Sequence, residues 1–192
     1  MSDQSVLKLF QDTQALLQGH FLLTSGRHSA QYFQCAKVLQ YPAYTTRLCE
    51  IIAEKFKTIE FDTVIAPAMG GIIVGQEVAR LLNKRSIFAE REDKKLVLRR
   101  GFSLSPGERV LVCEDVVTTG GSVFETMEIV TSSEATIVGV GYIVDRSNGT
   151  VDFGVPSVST LQLSVVSFQP DECPMCKEGS PLVKPGSRKI LS

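Results

Sequence analysis

Val6, Leu9, Phe10, Thr13, Leu16 and Leu17 recur at the i, i+3, i+4, i+7 spacing of an apolar helical stripe. Gly19 stands where such a helix would stop, so the pattern predicts a helix over about 5–18. A hydroxyl-rich loop follows, Leu23-Thr24-Ser25-Gly26-Arg27-His28-Ser29, and then a short extended run over 31–35. Pro42 suits the first turn of a helix, and Tyr44, Leu48, Ile51, Ile52 and Phe56 give 42–57 an apolar face. Thr63-Val64-Ile65-Ala66 reads as a short buried strand that runs through Pro67-Ala68-Met69-Gly70-Gly71 into a helix over 72–83. Further strands are predicted at 86–90, 109–113, 136–144 and 158–166, and a helix at 121–132. Residues 91–107 are charged and then Gly- and Pro-containing, and the tail from 169 onward reads as irregular.

Strands separated by helices of this length indicate βαβ units, hence an α/β fold with a mainly parallel sheet. No internal repeat, low-complexity tract or interdomain linker interrupts the 192 residues, so one domain over 1–192 is expected. Composition agrees: 43% hydrophobic and 21% charged residues suit a globular protein with a real core. A net charge of -1, from 20 basic and 21 acidic residues, argues against nucleic acid or an anionic membrane as a whole-surface partner. No apolar run reaches the ~20 residues of a membrane span, and the N-terminus has no signal-peptide pattern. Cysteine is present five times, with Cys35, Cys49 and Cys113 in hydrophobic segments, which points to a reducing, cytoplasmic setting rather than a disulfide framework. The sequon Asn148-Gly149-Thr150 then reads as a turn.

The segment that carries chemistry is Val110-Leu111-Val112-Cys113-Glu114-Asp115-Val116-Val117-Thr118-Thr119-Gly120-Gly121-Ser122. A hydrophobic strand ends in two adjacent carboxylates, and a turn of threonines, glycines and a serine then opens a helix. In open α/β sheets, ligands bind at the carboxyl ends of strands. Unpaired N–H groups at a helix start favour a phosphate, glycines admit close approach, and hydroxyls add donors. Glu114 and Asp115 would repel phosphate; they suit sugar hydroxyls and the waters of a Mg2+ ion. The plain alternative is a capped βα turn whose acids face solvent. No Walker A or Rossmann glycine pattern is present.

This run resembles the signature of the type I phosphoribosyltransferase family, which binds 5-phosphoribosyl-1-pyrophosphate (PRPP). The resemblance implies a central, mainly parallel sheet flanked by helices, with a small hood from 1–40 and 168–192. It places Glu114, Asp115, Val116, Val117, Thr118, Thr119, Gly120, Gly121 and Ser122 on the ribose phosphate, with no direct protein ligand to Mg2+, which PRPP and water hold. Phe21-Leu22-Leu23-Thr24-Ser25-Gly26-Arg27-His28-Ser29, Gln31-Tyr32-Phe33, Ala66-Pro67-Ala68-Met69-Gly70-Gly71-Ile72, Val144-Asp145-Arg146 and Leu182-Val183-Lys184-Pro185-Gly186-Ser187-Arg188 are similar to the orotate-specific branch of that family. That implies transfer of ribose 5-phosphate from PRPP to orotate, in pyrimidine synthesis, with Thr118, Arg146, Ser25 and Gly26 on the base. The chemistry agrees, because Arg146 offers a planar fork of donors to a planar anion. Taken alone, Arg146 would read as a surface ion pair at a strand end.

Residues 91–100 hold five basic residues against two acidic ones. The family has a mobile lid here that closes over the site and often reaches the partner of a homodimer. Arg91, with Lys94 or Lys95, is expected to neutralise the departing pyrophosphate while the lid and Asp115 complete the catalytic set. An exposed charged hairpin is the plain alternative. The chain lacks the lysines the family often carries at Thr24 and near Met69-Gly70, so contacts there must rely on backbone donors and the lid. Cys173-Pro174-Met175-Cys176 is a C-x-x-C knuckle with no second pair after it, and His20 and His28 lie far upstream. Reduced or easily oxidised thiols are expected there rather than zinc, and Cys113 is expected in the core. Two rivals share the fold: a purine phosphoribosyltransferase and a PRPP-sensing regulator. The latter is disfavoured by the absence of a basic extension.

Overall fold

The computed structural model describes residues 3–23, 26–163 and 166–184. A six-stranded sheet forms its centre, in the order β5-β4-β3-β6-β7-β8. The strands are β3 (Thr63–Pro67), β4 (Arg85–Glu92), β5 (Lys95–Leu98), β6 (Arg109–Val117), β7 (Thr136–Asp145) and β8 (Ser157–Gln162). All neighbours are parallel except the β4–β5 hairpin. A second, antiparallel sheet joins β1 (Leu16–Leu22), β2 (His28–Phe33) and β9 (Ser167–Phe168).

The central strands are apolar on both faces because both are covered. Val64, Ala66, Leu111 and Cys113 pack with α1 (Asp3–Asp12), α3 (Pro42–Phe56) and α4 (Gly70–Leu82). The alternate residues Ile65, Val110 and Val112 pack with α5 (Gly121–Ser132) on the other face. Helix α3 follows its predicted stripe: Thr45, Leu48, Cys49, Ile52, Ala53 and Phe56 are buried at helical spacing behind Pro42. It lies so close to β7 that a Cβ on Gly141 would meet Ile52 Cγ2 at 2.3 Å. Between β2 and α3 runs the single turn α2 (Ala36–Leu39), and the last is α6 (Pro174–Lys177).

Three expectations are corrected. The helix predicted over 5–18 ends at Asp12, where Gln14 turns the chain with φ 53°, and Leu16 and Leu17 enter β1. Both residues fit a helical stripe and a half-buried strand alike, and pairing with Phe33 and Tyr32 selects the strand. The strand predicted at 158–166 is β8 only to Gln162. Strand β6 runs past Cys113 to Val117, so the two acids lie within it rather than after it. No helix among the described residues is long and apolar enough to cross a membrane.

Candidate functional site

The connection β3-α4-β4 leads one way across the sheet and β6-α5-β7 leads the other. Between β3 and β6 the winding therefore reverses, and a crevice opens at their carboxyl ends. Pairing of β3 with β6 ends at Ile65 and Val112, whereas β6 stays paired to β7 as far as Val117 and Asp145. Glu114 and Asp115 sit just past that point of divergence. The start of α4 closes over them without side chains: a Cβ on Gly70 would lie 2.0 Å from Asp115 Oδ2, and one on Gly71 2.9 Å from Glu114 Oε1.

Glu114 is 8% exposed and accepts a hydrogen bond from the Asp115 amide at 2.9 Å. Burial, and after it the neighbouring Asp115 charge, hold its carboxyl well above the ordinary carboxylate pKa. Among the described residues neither acid forms an ion pair. Two carboxylates this close, one of them buried and without a cation, form a site suited to a sugar diol or the water shell of a divalent cation.

Beside them α5 begins at Gly120, whose φ of 77° is a left-handed turn with no side-chain cap. The amides of the first turn have no intrahelical acceptor. Thr118 and Thr119 are exposed, and among the described residues their hydroxyls and that of Ser122 have no hydrogen-bond partner. A phosphate-sized cradle of unpaired donors results. Val116 and Val117 offer only backbone to it, since their side chains pack into the two cores.

Arg146 follows β7, and its amide donates to the Val117 carbonyl at 2.7 Å, which sets it beside Thr118. Among the described residues it forms no ion pair, and its Nε is buried and unpartnered. Burial draws its pKa down, with Tyr32 of β2 opposing. Among the described residues the surface ion pair that a lone arginine would suggest is thus absent, and the guanidinium is partly buried with its Nε unpartnered. Gly26, with φ 80°, donates its amide to Leu23 at 3.0 Å within the β1–β2 turn, so that donor is already engaged. Thr24 and Ser25 lie outside the described residues, as do Pro185, Gly186, Ser187 and Arg188 of the tail.

The charged stretch is an ordered hairpin, with a two-residue turn at Asp93 and Lys94, both at positive φ, between Glu92 and Lys95. Arg91 makes two 3.0 Å bonds to Glu125 of α5, a partner the sequence did not signal. Arg99 pairs with Glu92 and Arg100 with Glu90. Lys94 and Lys95 are exposed and have no acidic partner among the described residues. Exposed pairs such as Arg91–Glu125 are worth only about 0.2–1 kcal/mol, and Arg91 also donates to the Lys94 carbonyl of its own hairpin.

Cys35, Cys49 and Cys113 are buried, as expected. Burial pushes the Cys49 thiol up to about 12, and Cys113 is raised by burial as well, so neither is a nucleophile at neutral pH. The knuckle departs from expectation in one respect. His20 and His28, remote in sequence, lie against Cys173 and Cys176 in space.

Residues 35–172 match the phosphoribosyl transferase domain family. The chain is 58% identical over 190 residues to the orotate phosphoribosyltransferase of Pelotomaculum thermopropionicum, covering 99% of this chain and 100% of that protein. It is 55% identical to the enzyme of that name from Chlorobaculum parvum, over 98% of this chain and 97% of that one. Its fold is similar to the crystal structure of orotate phosphoribosyltransferase from Aeropyrum pernix, with a TM-score of 0.69, 27% identity, and coverage of 82% and 93%. Adenine phosphoribosyltransferase from Rhodothermus marinus shares the fold at 20% identity, with a TM-score of 0.67 and coverage of 83% and 99%.

Proposed function

Because this chain belongs to the phosphoribosyltransferase family, we propose that it transfers the ribosyl 5-phosphate group of PRPP to orotate, giving orotidine 5-phosphate and pyrophosphate in de novo pyrimidine (UMP) synthesis. The observation that carries the reading is the juxtaposition at one sheet reversal of two carboxylates and a helix start with no partner among the described residues for the acids or the donors, beside an arginine whose buried Nε has none there either. Near-complete overlap with orotate-specific relatives favours orotate over a purine base.

The first turn of α5 and the hydroxyls of Thr118, Thr119 and Ser122 hold the 5-phosphate. Glu114 and Asp115 accept hydrogen bonds from the ribose hydroxyls and fix C1 in the crevice. Arg146 grips the orotate carboxylate or carbonyls, with Thr118 beside it. The C1–O bond breaks and its electron pair leaves with pyrophosphate. A ring nitrogen of orotate supplies the pair for the new C1–N bond and gives up its proton. Charge on the leaving group is met by Arg91 and by Lys94 or Lys95 once the hairpin closes, and closure excludes water from the cationic C1. The oxygen-rich acid pair fits Mg2+ held through PRPP and water, which supplies charge neutralisation of the pyrophosphate. The small sheet forms the hood, two copies form a homodimer with the edge hairpin reaching the neighbour's site, and the enzyme works in the cytoplasm.

The test follows orotate consumption by absorbance with PRPP and Mg2+ present and each omitted in turn, with adenine, hypoxanthine, guanine and xanthine as competing bases. Orotate alone is consumed, and only in the complete mixture. Asp115→Asn lowers kcat/KM by roughly 100-fold or more with the fold retained. Near-wild-type turnover in that variant would remove the role given to the acid pair.

A further inference from the structure

Cys173 precedes α6 and Cys176 lies in it, so one helical turn aims both sulfurs the same way. They face His20 of β1 and His28 at the start of β2, and the four potential ligand atoms lie within 4.8 Å of one another. Cys173 Sγ is 3.5 Å and Cys176 Sγ 3.7 Å from His20 Nε2, and Cys176 Sγ is 3.3 Å from His28 Nδ1. The two imidazole nitrogens are 2.9 Å apart. Around a tetrahedral zinc ion, with Zn–S of about 2.3 Å and Zn–N of about 2.0–2.1 Å, the S–N edges come to about 3.6 Å and the N–N edge to about 3.3 Å. These four edges lie within about 0.4 Å of that tetrahedron, and the other two are no longer than 4.8 Å.

A supporting contact points the same way. His20 Nδ1 lies 2.9 Å from the Ser180 carbonyl, which accepts from the ring N–H and leaves Nε2 free to ligate. His20, His28 and Cys173 are buried, while Cys176 is exposed and gives the site an entrance. Among the described residues no lysine or arginine bonds any of the four groups.

We propose that His20, His28, Cys173 and Cys176 bind one structural zinc ion, distinct from the sugar-phosphate crevice, that clamps the C-terminal segment to the β1–β2 hairpin. Among the described residues that segment also meets the small sheet through the β2–β9 pairing and through backbone bonds from Leu22 to Val183 at 2.9 Å and from Val183 to His20 at 2.8 Å, with Leu182 and Val183 about half exposed. Two thiolates and two imidazoles select zinc over hard cations such as Mg2+. The clamp lies at the base of the loop carrying Gly26 and Arg27, so it holds the frame of that loop while taking no part in bond breaking.

The test uses the full chain purified under reducing conditions. Elemental analysis finds about one zinc per chain. Replacement with Co2+ gives thiolate-to-metal charge transfer and the intense visible bands of a tetrahedral site. Cys176→Ser, at an exposed position, weakens the charge-transfer band and lowers Tm by roughly 5–10 °C, whereas Asp115→Asn leaves the charge-transfer band unchanged. If Cys176→Ser fails to fold, the wild-type cobalt spectrum decides. The proposal falls if the reduced protein takes up neither metal, if the cobalt spectrum lacks thiolate character, or if mass analysis finds Cys173 and Cys176 joined as a disulfide under those conditions.

Discussion

Glu114 is buried with no cation beside it, and this sets both its protonation and its use. Its folded-state pKa lies above that of the unfolded chain, so the folded protein binds this proton more tightly. The favourable contribution is complete below the ordinary carboxylate pKa and is lost as pH rises through the raised value. Glu114→Gln removes the dependence. In calorimetry, the variant's Tm advantage grows as pH rises above the ordinary carboxylate range, while its affinity for PRPP falls. A gap independent of pH would show that burial does not govern this carboxyl. Arg146 is the complementary case: burial draws its pKa down, and among the described residues its Nε has no acceptor. Among the described residues neither group has a counter-charge. The residue types were legible in sequence because acids after a valine-rich strand are costly unless used. Their lack of partners was not, since ion pairing depends on what the fold brings near.

Helix α4 begins on two glycines because the carboxylates of β6 occupy the space of their side chains. Gly70 needs no left-handed backbone, so Gly70→Ala tests that space directly. The added methyl displaces the Asp115 carboxylate; kcat/KM falls roughly 100-fold while circular dichroism stays that of the wild type. Unchanged kinetics would mean that the helix start can retreat without consequence. Elements α3, β3, α4, β4, α5 and β7 were legible because each is regularly patterned in its hydrophobic positions. The extents of α1, β6 and β8 were not. Short apolar runs fit a helical and an extended period equally, and only the partner strand chooses. The hairpin over 91–98 resolved as regular structure because Asp93 and Lys94 accept positive φ, which hydrophobic periodicity does not register.

The whole molecule places its chemistry where the direction of strand winding reverses, and its exposed edge at β5. An edge strand that begins at Lys95, beside Lys94, neither of which has an acidic partner among the described residues, suits contact with a second copy across a two-fold axis. If the hairpin completes the neighbour's site, a chain lacking Lys94 and Lys95 and a chain carrying Asp115→Asn are each inactive alone. Refolded together in equal amounts, they regain about a quarter of wild-type activity, because half the dimers are mixed and each has one intact site. No recovery on mixing, with mixed dimers present by native mass spectrometry, would confine the lid to its own subunit.

Sequence alone determined the α/β class, the strand-acid-acid-turn-helix unit and the identity of most groups in the crevice, because these follow from local periodicity and from the chemistry of adjacent residues. Tertiary structure alone decided which of those groups lack partners, that Arg91 rests on Glu125, and that His20 and His28 converge on Cys173 and Cys176. The physical reason is range. Hydrophobic period and turn chemistry act over a few residues, whereas ion pairing and metal-ligand geometry are set by distances between segments that only sheet order and register bring together.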